Sequence, residues 1–199
     1  GFTKDFTITT SVGGYYNALV DVLERPYSTA SYVPVDIKIP YLADKTKKTP
    51  NIYPTDNSVI LDPIETDDKR FYQYFTYTKN FGILLEARGR GLFSNYIRSR
   101  WMHPQLSTLN VVGAINPYFL AEEIRLLRAE AKYWLNDYQA SANELNDINA
   151  SRKLKGNLPD VIVSASNILN ALHYEYAIEI DGAGGTFVPF TFMRRNDLL

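Results

Sequence analysis

A mainly α-helical fold with extensive loops is what this sequence predicts, and three observations carry the reading. Apolar side chains recur at spacings of three and four after residue 115, six prolines fall between Pro26 and Pro63, and the two regimes change over near residue 115. The chain therefore divides into a loop-rich, aromatic- and proline-rich region over 1–115 and a helical region over 116–199. With 199 residues it is long enough to build a core without staples, since chains of this size hide roughly 70% of their unfolded surface.

The elements follow in order. "SVGGYYNALVDVLERP" predicts a short helix with Tyr15, Leu19 and Val22 on one face, stopped by Pro26. Proline fixes φ, removes a donor and restricts the residue before it, so 26–66 reads as long ordered loops with at most short edge strands. "TDDKRFYQYFTYT" offers Thr66 or Asp67 as N-cap and places Phe71 and Phe75 four apart, which predicts a short helix, with a strand as the alternative. "FGILLEARGRGLFSNYIRSRW" mixes an apolar run with glycines and fits strand-turn-strand.

Beyond residue 115 the signal is cleaner. Asn116–Pro117 reads as N-cap and first helical residue. Leu120, Ile124, Leu127, Ala131 and Trp134 then form an apolar stripe, with Trp134 as a core residue and Glu122, Glu123, Arg125 and Arg128 off it. The stripe pauses at Asn136–Asp137 and resumes with Tyr138, Ala142, Leu145 and Ile148. Ala129, Ala131, Ala140 and Ala142 would let the two helices approach closely. "GNLP" breaks the pattern, and Ser166 caps a third helix whose inner face is Ile168, Leu172, Tyr176 and Ile180. The first two helices predict one antiparallel unit of the tetratricopeptide type, which cannot bury its own faces and must pack on neighbours.

The same residues resemble the C-terminal helical motif of the SusD/RagB family, which reads approximately R-x-x-E-x-x-L-x-x-A-E-A, then G-D-Y, then A-x-x-x-L-N-x-I. Arg128, Ala129, Glu130 and Ala131 match the first element, and Asp137 and Tyr138 match the turn, with Asn136 where glycine is usual. Leu145, Asn146 and Ile148 match the last element. "EYAIEI", with Glu175 and Glu179, is similar to the family's E-L-A-x-E segment. "FTFMRRNDLL" is similar to its closing block, with Arg194 and Arg195 in place and Phe192 where aspartate is usual. The likeness covers 118–199, thins to "DDKRFYQYF" over 65–115 and is absent before that.

The resemblance implies a SusD-like fold in which a tetratricopeptide-like pair and a third helix frame variable loops. It implies non-catalytic capture of a glycan or other nutrient at the cell surface of the outer membrane. The partner would be a SusC-like TonB-dependent transporter, and the lipid anchor would lie outside this segment. Family members are much longer, and "GFTKDF" and "RRNDLL" read as cuts within a longer protein. Two rival functions are a helical-repeat scaffold that binds only protein, and a glycoside hydrolase.

Composition narrows the chemistry. A formal charge of −1 gives no electrostatic reason to expect nucleic acid or an acidic membrane as partner. With no cysteine the chain forms no disulfide, thiol nucleophile or cysteine zinc site, and no apolar run approaches a membrane span. His103 and His173 stand apart with no second ligand at helical spacing, so no metal site or cofactor is expected. "DGAGGT" lacks the spacing of a dinucleotide loop, and "KTKK" at 45–48 reads as a solvated cluster. Glu175 and Glu179, one helical turn apart and followed by Asp181, could serve acid–base work. Pairing with Arg194, Arg195 or helix ends is the reading we take.

Fifteen tyrosines lean toward ligand binding, since aromatic faces beside Arg, Asn and Asp suit sugar rings. "RFYQYFTYT" and "NYIRSRW" supply the candidates Tyr72, Tyr74, Tyr77, Tyr96, Arg98 and Trp101, for which loop packing is the competing role.

Overall fold

The computed structural model describes residues 6–9, 34–54, 59–79, 90–100, 115–181 and 188–198. In chain order its elements are β1 (Phe6–Thr9), β2 (Pro34–Asp36), α1 (Lys38–Ala43), α2 (Phe71–Tyr74), β3 (Phe75–Tyr77), β4 (Phe93–Arg98) and β5 (Ile115–Phe119). The helices α3 (Ala121–Trp134), α4 (Tyr138–Asn146), α5 (Ser151–Leu154), α6 (Ala165–Glu179) and α7 (Val188–Arg195) complete it. Helices dominate, in keeping with a mainly α reading, beside one three-stranded sheet and a pairing of β1 with β5. The chain divides into two compact units. One holds Thr9–Thr66 and Phe71–Asn116; the other holds Gly1–Ile8, Asp67–Arg70 and Pro117–Leu199.

The first unit is built on the sheet β2-β4-β3, antiparallel throughout, with Pro34 opposite Ile97 and Thr76 opposite the same residue from the other side. Ser94, Asn95, Tyr96 and Ile97 of the middle strand are all buried, so the alternation of a half-exposed strand is missing. Val35, Ile37, Tyr53, Phe71 and Ile97 form its core. The Phe71 ring lies 5.0 Å from Phe75 and 5.1 Å from Tyr96, in tilted and edge-on arrangements.

The expected loop over 26–66 is interrupted by β2 and α1. Helix α1 tolerates Pro40 because that residue sits in the first turn, where an amide has no helical acceptor to lose. Over "TDDKRFYQYFTYT" both alternatives occur in succession, one helical turn and then β3. β4 falls within the expected strand-turn-strand. Residues 81–89 and the helix expected before Pro26 lie outside the described residues.

In the helical unit α3 does not start at Asn116–Pro117. β5 runs through both, Leu120 is the extended N-cap and Ala121 is the first helical residue. Proline disfavours the helical region for the residue before it, and strand pairing with β1 satisfies the backbone there. At the other end the amides of Asn136 and Asp137 donate to the Tyr133 and Lys132 carbonyls, at 2.9 and 3.0 Å. With Asn136 at φ 60°, this is a Schellman ending. Asn is the best substitute for glycine in that conformation, which explains Asn136 at the turn. Asp137 then caps α4, its Oδ1 accepting from Ala140 N at 3.0 Å.

α3 and α4 pack antiparallel, for Lys132 and Arg128 both reach Glu144 while the earlier Arg125 reaches the later Asp147. Ala129 and Ala142 are fully buried at the crossing, and Ser141 Oγ donates to the Ala129 carbonyl at 2.7 Å. The stripe on α3 is corrected. Leu127 and Trp134 are exposed, at 40% and 57%, and Ile148 on the α4 side is exposed too. The buried face is Glu123, Leu126, Ala129 and Glu130, and its two acids disguise it as polar in an apolar count. Trp134→Ala is therefore expected to cost less than about 1 kcal/mol in urea denaturation, against the 3–5 kcal/mol typical of a buried tryptophan.

α6 presents Ile168, Leu172, Tyr176 and Ile180 inward as expected, all fully buried. Its cap is Ser164 rather than Ser166, with Ser164 Oγ accepting from Asn167 N at 3.1 Å. α7 lays Phe192 flat on Tyr176, ring centres 4.3 Å apart.

Candidate functional site

The most concentrated chemistry of the helical unit is a buried ion-pair network. Arg70 directs Nε and NH2 at Asp68, at 3.0 and 2.7 Å, and NH1 and NH2 at Glu175, at 2.6 and 3.0 Å. Glu179 Oε2 accepts from Ser151 Oγ at 2.5 Å and lies 3.4 Å from Arg70 NH1. Tyr174 donates its hydroxyl to Asp68 at 2.9 Å. Burial alone would lower the Arg70 pKa, but Glu175 and Asp68 outweigh it and keep the guanidinium charged. Burial pushes the Glu175 carboxyl up, with Arg70 and Arg152 opposing.

Gly156 closes this network. A Cβ built there would stand 2.7 Å from the Arg152 carbonyl and 2.9 Å from both Arg70 Nε and Asp68 Oδ1. Gly156→Ala should thus lower stability by about 1–3 kcal/mol, read as a drop in melting temperature.

The sequence-predicted partner of Glu175 and Glu179 is corrected. They bind Arg70, not Arg194 or Arg195. Arg195 instead clamps the buried Glu130 through Nε and NH2, and Tyr176 donates its hydroxyl to the same carboxylate at 3.1 Å. Arg194 is exposed. Asn146 pins the Val161 backbone from both sides, donating to its carbonyl at 3.1 Å and accepting from its amide at 2.7 Å. Arg128 pairs with Glu144, and Tyr138 donates its hydroxyl to Asn136 Oδ1. Each of these side chains fastens one helix or turn to another.

The aromatic candidates separate. Tyr74 and Tyr96 are buried in the first unit, so neither ring is open to a ligand, and Tyr96 spends its hydroxyl accepting from Ile64 N at 2.8 Å. Burial also pushes the Tyr96 phenol up to about 12. Tyr77 is half-buried and donates to the Leu61 carbonyl. Tyr72 is exposed and Arg98 half-buried; Trp101 and His103 lie outside the described residues. Among the described residues no group of His, Cys, Asp and Glu is placed to hold a metal ion.

The same unit holds a cleft of about 390 Å³ between the loop Asp44–Thr49 and the segment Ile60–Glu65. Asp44 organises its loop, accepting from the amides and hydroxyls of both Thr46 and Thr49 at 2.7–2.9 Å and from Lys48 N at 3.1 Å. Burial would raise its pKa, but these bonds hold the carboxyl well below the usual range. The lysines of "KTKK" point outward, as expected of a solvated cluster, and Lys48 borders the cleft with Asp62 and Glu65. The volume falls within the roughly 300–1,000 Å³ of small-molecule sites.

Sequence reasoning missed Arg70, Asp44 and Asn95. For Asn95 and Asp44 the signals were present: a polar Asn inside the strand "FSNYIR", and an Asp followed two and five positions on by threonines. Comparison with family models, characterised proteins and solved structures finds no match for the chain.

Proposed function

We propose that this chain is part of a non-catalytic capture protein of the SusD/RagB type. It would hold an oligosaccharide or similar nutrient at the outer-membrane surface for a SusC-like TonB-dependent transporter. In that reading α3 and α4 are a tetratricopeptide-like pair, and any lipid anchor lies outside this segment.

One observation carries it. The residues that make the resemblance do structural work rather than chemistry: Glu130 is clamped by Arg195, Asp137 caps α4, Asn146 pins Val161, and Glu175 with Glu179 neutralises Arg70. A motif spent wholly on fastening helices belongs to a frame, and a frame presents its ligand groups elsewhere. The cleft beside Asp44 is where we place the ligand. A glycoside hydrolase needs two carboxyls facing one another across the substrate, whereas Glu175 and Glu179 converge on one buried arginine.

Titration calorimetry of the chain against a panel of oligosaccharides tests the proposal, paired with copurification of the transporter. Heat from at least one glycan is expected, and silence across the panel with no transporter recovered sinks it. A second reading, a helical-repeat scaffold, is favoured by the exposed Leu127, Trp134 and Leu135 on α3 and its end. Partner capture that ignores added sugar and is lost in Leu127→Ser/Trp134→Ser would support it instead.

A further inference from the structure

Asn95 sits on the middle strand β4 with only 2% of its surface exposed, and its amide nitrogen has no hydrogen-bond partner. The oxygen of the same carboxamide accepts from the Tyr53 hydroxyl, which also accepts from Leu61 N and lies 3.3 Å from the Val59 carbonyl, and the nitrogen is left as a spare donor. A buried donor without an acceptor costs about 1–3 kcal/mol. Such a cost is recovered when an incoming acceptor meets the donor.

Asn95 lines a narrow cavity of about 10 Å³, close to what one oxygen-bearing group or water fills. That cavity shares Thr49, Leu61, Asp62 and Ile64 with the 390 Å³ cleft, so the two adjoin. The cleft's own charges are Lys48 and the exposed acids Asp62 and Glu65, besides Asp44, whose oxygens are taken up by its loop.

These groups constrain the ligand. An anion would suit Asn95 and Lys48 but meet the acids with repulsion. An ammonium would suit the acids but has no lone pair for Asn95. A hydroxyl accepts and donates at once. We infer that the cleft takes a neutral polyhydroxylated molecule, one oxygen of which enters the narrow cavity and accepts from Asn95 Nδ2 while neighbouring hydroxyls donate to Asp62 and Glu65. This rests on the capture reading above and adds to it an anchoring residue and a preference for uncharged sugars.

The test is nuclear magnetic resonance of the 199-residue chain, following the Asn95 side-chain amide during titration with glucose, galactose and maltose, and with glucuronate and glucosamine as charged counterparts. A saturable shift of that amide with a neutral sugar is expected, with weaker binding of both charged sugars. Asp62→Asn, at an exposed position, should weaken the neutral sugar about tenfold, the scale of a lost hydrogen bond to a charged group. Neutral sugars that move other resonances and leave the Asn95 amide still would overturn the anchor alone. An absence of any perturbation would overturn the anchor and the capture reading together.

Discussion

Arg70→Met should unfold the helical unit or weaken it by about 3–5 kcal/mol, the cost of removing one partner from a buried ion network. Arg70 is fully buried, and Asp68, Glu175 and Glu179 converge on it from the chain segment before α2 and from α6. Without the guanidinium three carboxylates would lose their closest cation, leaving Arg152 at 3.9 Å from Glu175 and Lys155 at 3.9 Å from Glu179. The acids would have to take up protons or admit water. Urea denaturation of Arg70→Met against the parent measures the loss. Adding Glu175→Gln should recover part of it, because one buried charge fewer then needs a partner. Were Arg70→Met as stable as the parent, the network would be dispensable and the frame argument would lose its anchor.

How legible was this in the sequence? The inner face of α6 was legible, since Ile168, Leu172, Tyr176 and Ile180 are apolar side chains on an apolar face, while its cap lies two residues before the expected Ser166. The first was legible as a helix but not as a face, because Glu123 and Glu130 occupy buried positions that an apolar count discards. The turn at Asn136–Asp137 could be read from local chemistry alone: one residue tolerates a left-handed backbone and the next caps. Arg70 could not. Its partners Glu175 and Glu179 lie 105 and 109 positions away, and pairing over such separations leaves no periodic trace. The sequence reading assigns Glu175 and Glu179 to arginines nearer in sequence, where the structure pairs them with Arg70. The tyrosines show a related limit. Tyr74 and Tyr96 are both buried, and Tyr96 meets the Ile64 amide through its phenol, so a polar tip did not imply an exposed ring.

Stability of the helical unit should fall as pH rises from about 4.5 to about 7, with Glu122 as one cause. Burial, with Glu179 and Glu175 nearby and only Arg125 and the Ser151 amide opposing, pushes its carboxyl up from 4.5 to about 7. Below the unfolded value both states carry the proton and the group is neutral to stability. Between the two values the unfolded chain releases the proton while the folded one keeps it, and folding is progressively penalised. Above about 7 the penalty is complete at roughly 3 kcal/mol, the linkage equivalent of that displacement. Burial of Glu123 and of Glu175 acts with the same sign. Glu144 acts with the opposite sign: burial raises it, but Arg128 and Lys132 outweigh burial, so its stabilisation is present at neutral pH and lost in acid. The two trends together place the optimum in mildly acidic solution. Glu122→Gln keeps an oxygen for the Ser151 amide and cannot ionise, so it should reduce the slope between pH 5 and 8. At pH 8 it should gain up to about 3 kcal/mol, and at pH 4 it should match the parent. Urea midpoints at the three pH values, checked by hydrogen exchange of the α3 amides, decide the matter. An unchanged slope in the variant would assign the pH dependence to another group.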